Sequence, residues 1–120
     1  MKETIAQSVA EVQEHVVAHR RTLHQIPEVG LDLPQTAGYV RKILTELGCI
    51  PQNIGTCGQV VTLGQGERTL LLRADMDALQ VEEHNDLPFC AANGCMHACG
   101  HDMHTAILLG AAEVLKRHEQ

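Results

Sequence analysis

Ten residues, Cys95-Met96-His97-Ala98-Cys99-Gly100-His101-Asp102-Met103-His104, constrain this chain more than any other stretch. They gather two thiols, three imidazoles and a carboxylate around one glycine. What those side chains share is affinity for borderline-soft metal ions. His101 and His104 are three apart, so on a helix they face the same way. Cys99 and His101 are two apart, which suits an extended or turning entry into that helix. The fold must therefore deliver a loop onto a helix start, with donors on both sides of the junction. A cation is disfavoured at the positive end of a helix, so anionic donors have to offset it. Asp102 fits as the helix N-cap or as a carboxylate close to the metal.

Three readings of the stretch stay open on residue types alone. One is half of a transition-metal site in a hydrolase. Another is a closed structural knot of Cys95, Cys99, His101 and His104. The third is a polar loop without metal, which would leave oxidisable thiols at the surface without purpose.

The rest of the chain restricts the class of protein. At 120 residues it is one domain at most, and 44% hydrophobic residues place it in the globular range. Tyr39 and Phe89 are its only aromatics besides histidine, so the core is expected to be aliphatic and base-stacking platforms are lacking. With a formal charge of -6, no nucleic-acid partner is expected. No apolar run approaches the roughly 20 residues that span a bilayer, so no membrane partner is expected either. Met1-Lys2-Glu3-Thr4 lacks an apolar signal core, which makes a cytoplasmic location the expectation. Five cysteines is an odd count, and Cys49, Cys57 and Cys90 read as small buried hydrophobes.

Apolar spacing predicts a helix over 4–25 with Ile5, Val9, Val12, Val16 and Leu23 inward, stopped by Pro27. His15 and His19 read as surface residues, whereas His24 stands at the helix end beside Pro27-Glu28. A second helix is expected over 35–47, burying Thr36, Val40, Ile43, Leu44 and Leu47, with Gly48 as its stop. Residues 58–63 read as a strand, turning at 64–67 into a second strand over 68–74. That second strand is apolar at consecutive positions, as in a strand covered on both faces. A third helix is expected over 102–117, with Met103, Ile107, Leu108, Ala111, Val114 and Leu115 inward and Gly110 allowing close packing. The class is α/β, with helices on a small and mostly incomplete sheet.

A second acidic element, Arg73-Ala74-Asp75-Met76-Asp77-Ala78-Leu79, ends the apolar strand. Asp75 and Asp77 face one side of an extended segment and need a cation or imidazole to offset their repulsion. Either they close a strand as an ordinary polar turn, or they orient metal-binding histidines.

Three stretches together resemble the amidohydrolase branch of the M20 metallopeptidase family, which includes N-acyl-amino-acid, hippurate and indole-acetyl-amino-acid hydrolases. Arg21-Thr22-Leu23-His24-Gln25-Ile26-Pro27-Glu28 is similar to the family's Arg-x-x-Leu-His-x-x-Pro-Glu. Leu72-Arg73-Ala74-Asp75-Met76-Asp77-Ala78-Leu79 is similar to its Leu-Arg-Ala-Asp-Met-Asp-Ala-Leu-Pro. Met96-His97-Ala98-Cys99-Gly100-His101-Asp102-Met103-His104-Thr105-Ala106 is similar to its Met-His-Ala-Cys-Gly-His-Asp-x-His-Thr-Ala. Order and spacing agree over roughly residues 17–117.

The resemblance implies the N-terminal part of an M20-type, zinc-exopeptidase-like catalytic domain over residues 1–120. It implies hydrolysis of an N-acyl amino acid amide by a water activated between two divalent metals, zinc or manganese, with cobalt or nickel as alternatives. It assigns Cys99 and His101 as metal ligands and Asp77 as the orienting carboxylate. Asp75, His97, Asp102 and His104 then line the site. The family's general base belongs to a Glu-Glu pair after the next strand, and this chain does not reach it. Glu82-Glu83 precede the cysteine motif, and Glu113 and Glu119 lie on the wrong side to substitute. The 120 residues alone are expected to be inactive. The partner of the intact protein is expected to be a small N-acyl amino acid, and its assembly a homodimer. Gln80 in place of the family's proline, and Leu33-Pro34 after Pro27-Glu28, are expected to loosen loops around the site.

Overall fold

A computed structural model describes residues 3–119. Met1 and Lys2, part of the charged start, and Gln120 lie outside the described residues. Three helices and a two-stranded antiparallel sheet make an α/β arrangement.

Helix α1 runs Ile5–His24. Thr4 caps it by accepting the Gln7 N–H at 3.1 Å, and the Gln7 side chain accepts the Thr4 N–H at 2.7 Å. Its buried face is Ser8, Val12, His19, Leu23 and His24. That differs from the purely apolar stripe the spacing predicts, because Ile5 and Val9 are exposed. His19 is buried rather than at the surface, and its Nδ1 shares a 2.7 Å hydrogen bond with the Tyr39 hydroxyl. Burial penalises its charged form and lowers its pKa.

Helix α2 runs Pro34–Glu46, with Pro34 opening it where no N–H is needed. Leu33 has no capping side chain, and a distant carboxylate takes that part. Glu28 accepts the Gln35 N–H at 3.1 Å and the Thr36 N–H at 2.7 Å. Leu33 is buried and Pro34 begins the helix, so the two residues anchor the end of this loop.

Strand β1 (Gln52–Ile54) pairs with β2 (Gly58–Val60), in the register Gln52 to Val60 and Ile54 to Gly58. The predicted hairpin of 58–63 with 68–74 does not form. Residues 68–74 carry no regular secondary structure and no ladder partner among the described residues, and Leu70 and Leu71 are 84% and 79% exposed. Consecutive leucines signal a covered strand only when a neighbour supplies the cover.

Helix α3 runs His101–Arg117 and packs along α1. Gly110 makes that approach possible, since a Cβ there would meet Val16 Cγ2 at 2.4 Å. The buried face of α3 is Asp102, Thr105, Ala106, Leu109, Gly110, Glu113 and Val114. Of the predicted stripe only Val114 is buried, while Met103, Ile107 and Leu115 are exposed. The helix is apolar on two sides, so periodicity alone picks the wrong one. Val40, Leu44, Cys49 and Leu109 form the apolar core where α2 meets α3. No described helix is long and apolar enough to cross a membrane.

Candidate metal centre

Two backbone anchors set the acidic run in place. The Ala78 N–H donates to the Glu28 carbonyl at 2.7 Å, and Leu79 exchanges two 2.9 Å hydrogen bonds with Met96. The run therefore lies against the first turn of α3, where the Thr105 hydroxyl donates to the Asp75 carbonyl at 2.8 Å. Asp75, His101 and His104 each offer a donor atom within 4.8 Å of the others.

The protonation pattern of this cluster follows from its contacts. His101 Nδ1 donates to the Asp77 carbonyl at 2.8 Å and lies 3.1 Å from Asp77 Oδ1. That leaves Nε2 of His101 with its lone pair, 3.4 Å from Asp75 Oδ2. His104 Nδ1 donates to Asp75 Oδ1 at 2.8 Å, and the two rings stack with centroids 5.5 Å apart. The His104 hydrogen bond outweighs burial and holds Asp75 below the ordinary carboxylate range. A divalent ion lodged between Nε2 and that carboxylate would be held by both. One carboxylate and two imidazoles also make a donor set suited to zinc or a similar divalent ion. The residues fit a metal.

The other motif residues fall around this cluster. His97 is 4% exposed, and neither ring nitrogen has a partner. Burial lowers its pKa, which keeps a neutral ring with one free donor and one free acceptor. Cys99 is exposed on the loop two residues before His101, outside the convergent set, and Cys95 is half-buried and outside it too. Asp102 is not the N-cap, a place taken by Gly100 with φ +82. Its carboxylate is buried and turned towards α1 instead.

That inward turn exposes a set of residues the motif reading missed. Asp102 Oδ2 accepts from Arg20 Nε at 2.9 Å and from His24 Nδ1 at 2.7 Å. His24 Nε2 then meets Glu83 Oε2 at 2.9 Å. Asn85 Nδ2 and the Ala91 N–H complete Glu83 at 2.9 and 2.7 Å. Burial alone would raise Glu83, but Asn85, His24 and Ala91 together bring it down to about 2. Both nitrogens of the His24 ring are thus taken by carboxylates. Phe89 covers the network, edge-on to His24 and beneath the guanidinium groups of Arg20 and Arg21. The available signal was His24 beside Pro27-Glu28. Glu83 had none, since it lies 59 residues away along the chain.

Comparison with known proteins then decides the family. The sequence profile of peptidase family M20/M25/M40 matches residues 71–120, the part carrying both the acidic run and the histidine cluster. The chain belongs to the M20 peptidase family. An N-acyl-L-amino acid amidohydrolase of Geobacillus stearothermophilus is 42% identical over 97% of this chain and 32% of its own length. Thermostable carboxypeptidase 1 of Saccharolobus solfataricus is 38% identical over 98% of this chain and 31% of its own. The crystal structure of Bacillus subtilis YXEP, a dinuclear metal-binding peptidase of the M20 family, superposes with a TM-score of 0.82. It is 32% identical and covers 91% of this chain and 32% of that one. The M20 chain described here thus spans about a third of the length of the curated relatives it matches.

Proposed function

We propose that this chain forms the N-terminal part of a metal-dependent amidohydrolase that cleaves N-acyl amino acids. The convergence of Asp75, His101 and His104 carries the reading. His101 and His104 would hold the ion through their free nitrogens and Asp75 through its carboxylate. Asp77, at His101 Nδ1, fixes the tautomer that leaves Nε2 free to coordinate. The Cys99 thiolate would join them as a soft donor from the exposed loop. Zinc or manganese, two ions in the intact site, would polarise the amide carbonyl and acidify a water.

The partial nature of the site is part of the same proposal. A general base and further ligands would come from the two-thirds of the relatives' length that this chain does not span. Bare leucines at 70–72 and the exposed Met103 and Ile107 support a missing cover beside the site. An N-acyl amino acid is favoured over a peptide because the Geobacillus relative carries that activity in its name.

Two measurements test this. Equilibrium dialysis with zinc or manganese should show binding that His101→Ala abolishes. Hydrolysis of N-acetylmethionine should be absent for residues 1–120 and appear when a relative's remaining two-thirds is supplied. Normal turnover by the 120 residues alone would overturn the partial-site reading.

A further inference from the structure

We propose that His24, held between Asp102 and Glu83, is the positioning residue on which both halves of the metal centre hang. The inference rests on the cluster of Asp75, His101 and His104 being that centre. One half of the cluster belongs to α3, whose first turn carries His101 and His104 on either side of Asp102. Asp102 is fully occupied: Oδ2 takes Arg20 and His24, and Oδ1 takes the Met103 N–H at 2.9 Å. These bonds pin the first turn of α3 against the end of α1.

The other half hangs from the loop between Leu79 and Met96. Glu83 and Ala91 tie that loop to His24, and its two ends pair with each other to hold the acidic run. The His24 imidazole thus adds a buried tie between the helix bearing the histidines and the loop behind the carboxylates, beside the direct Thr105–Asp75 contact. His24 itself is 2% exposed and hydrogen-bonds none of the three convergent residues, so it acts through Asp102 and Glu83. The leverage is large. Side-chain tips on a helix lie about 5–6 Å from its axis, so a rotation of about 10° moves them by about 1 Å. A displacement of that size degrades a site whose donors must converge.

Arg20 and the His24 ring lie against the buried carboxylates of Asp102 and Glu83. Removing the ring leaves two carboxylates without their common partner.

The test uses cobalt(II) as the probe ion on the 120-residue chain. Three variants are compared: His24→Phe, Glu83→Gln and His19→Phe, the last a buried histidine of the same helix that bonds Tyr39 instead. Cobalt affinity is read by calorimetry, and the His101 tautomer by proton–nitrogen correlation spectra without metal. Both clamp variants should weaken cobalt binding severalfold, because a misplacement of about 1 Å spoils the convergence of the donors. They should also turn the single Nδ1–H tautomer of His101 into a mixture. His19→Phe should lower Tm without moving either readout. Parent-like affinity and tautomer in Glu83→Gln, which keeps the shape of the side chain should His24→Phe fail to fold, would overturn the proposal. An equal loss in His19→Phe would overturn it too. A parent chain that binds no cobalt sinks the metal reading alone, because the tautomer still tests the positioning.

Discussion

Two histidine–carboxylate sets lie side by side at the start of α3, and they are opposites. In the set of Arg20, His24, Asp102 and Glu83, the side chains of His24, Asp102 and Glu83 are 0–2% exposed and every carboxylate oxygen has a donor. In the set of Asp75, Asp77, His101 and His104, exposure runs from 22% to 54%, and His101 Nε2 stands 3.4 Å from Asp75 Oδ2. The residue types are the same and the outcome is not. A histidine gripped by buried carboxylates at both nitrogens has nothing left to lend a metal. One on an open face, with a longer contact at one nitrogen, can turn that nitrogen to an ion. The difference teaches that burial and contact distance, rather than the count of histidines, separate a brace from a candidate ligand.

The strongest way to break the contrast is at Asp102. Asp102→Ala leaves Arg20 and His24 facing an empty site, and loss of one partner from a buried charged set costs about 3–5 kcal/mol. Denaturant unfolding should show that loss. A smaller break comes from Gly110→Ala, whose methyl meets Val16 and pushes α1 away from α3. Overpacking of that kind costs about 1–3 kcal/mol, measurable as a drop in Tm.

Acid titration sharpens the comparison next. Glu83 is held at about 2 against an ordinary 4.5, so its contribution to stability is present above pH 4.5 and lost as pH falls towards 2. His19 is lowered below its ordinary 6.5, so the unfolded chain binds its proton first and stability declines as pH falls below 6.5. Stability followed from pH 7 to 3 should fall in two stages, and Glu83→Gln should remove the lower one. The smallest effect belongs to the open set. His104→Ala, at an exposed side chain, should change stability by no more than about 0.5 kcal/mol. Dialysis should nevertheless show weakened metal binding. A large loss of stability there would erase the distinction between the two sets.

Much of this was legible in the residues themselves. The helix bounds came out within a residue or two, since caps, Pro27 and Gly48 act on neighbours within one turn. The acidic run and the histidine stretch could be named as partners because both carry chemistry that needs company. The hairpin was not legible: β1, the actual partner of β2, is polar and exposed, while the leucines at 70–72 announce a cover that the described residues do not provide. Nor was the inward face of α3, because a helix apolar on two sides carries no preference until α1 arrives through the gap at Gly110.

By itself the sequence determined where helices begin and end and which ten residues could hold a metal, because those depend on contacts a few positions apart. Tertiary structure decided that His24 became a brace and that His104 and Asp75 converge with His101. His24 meets Asp102 across 78 residues and Glu83 across 59, whereas His101 meets Asp77 across 24 on the open side. Burial and the closeness of the carboxylates around each ring are properties of the packed chain, and they separate the brace from the open site.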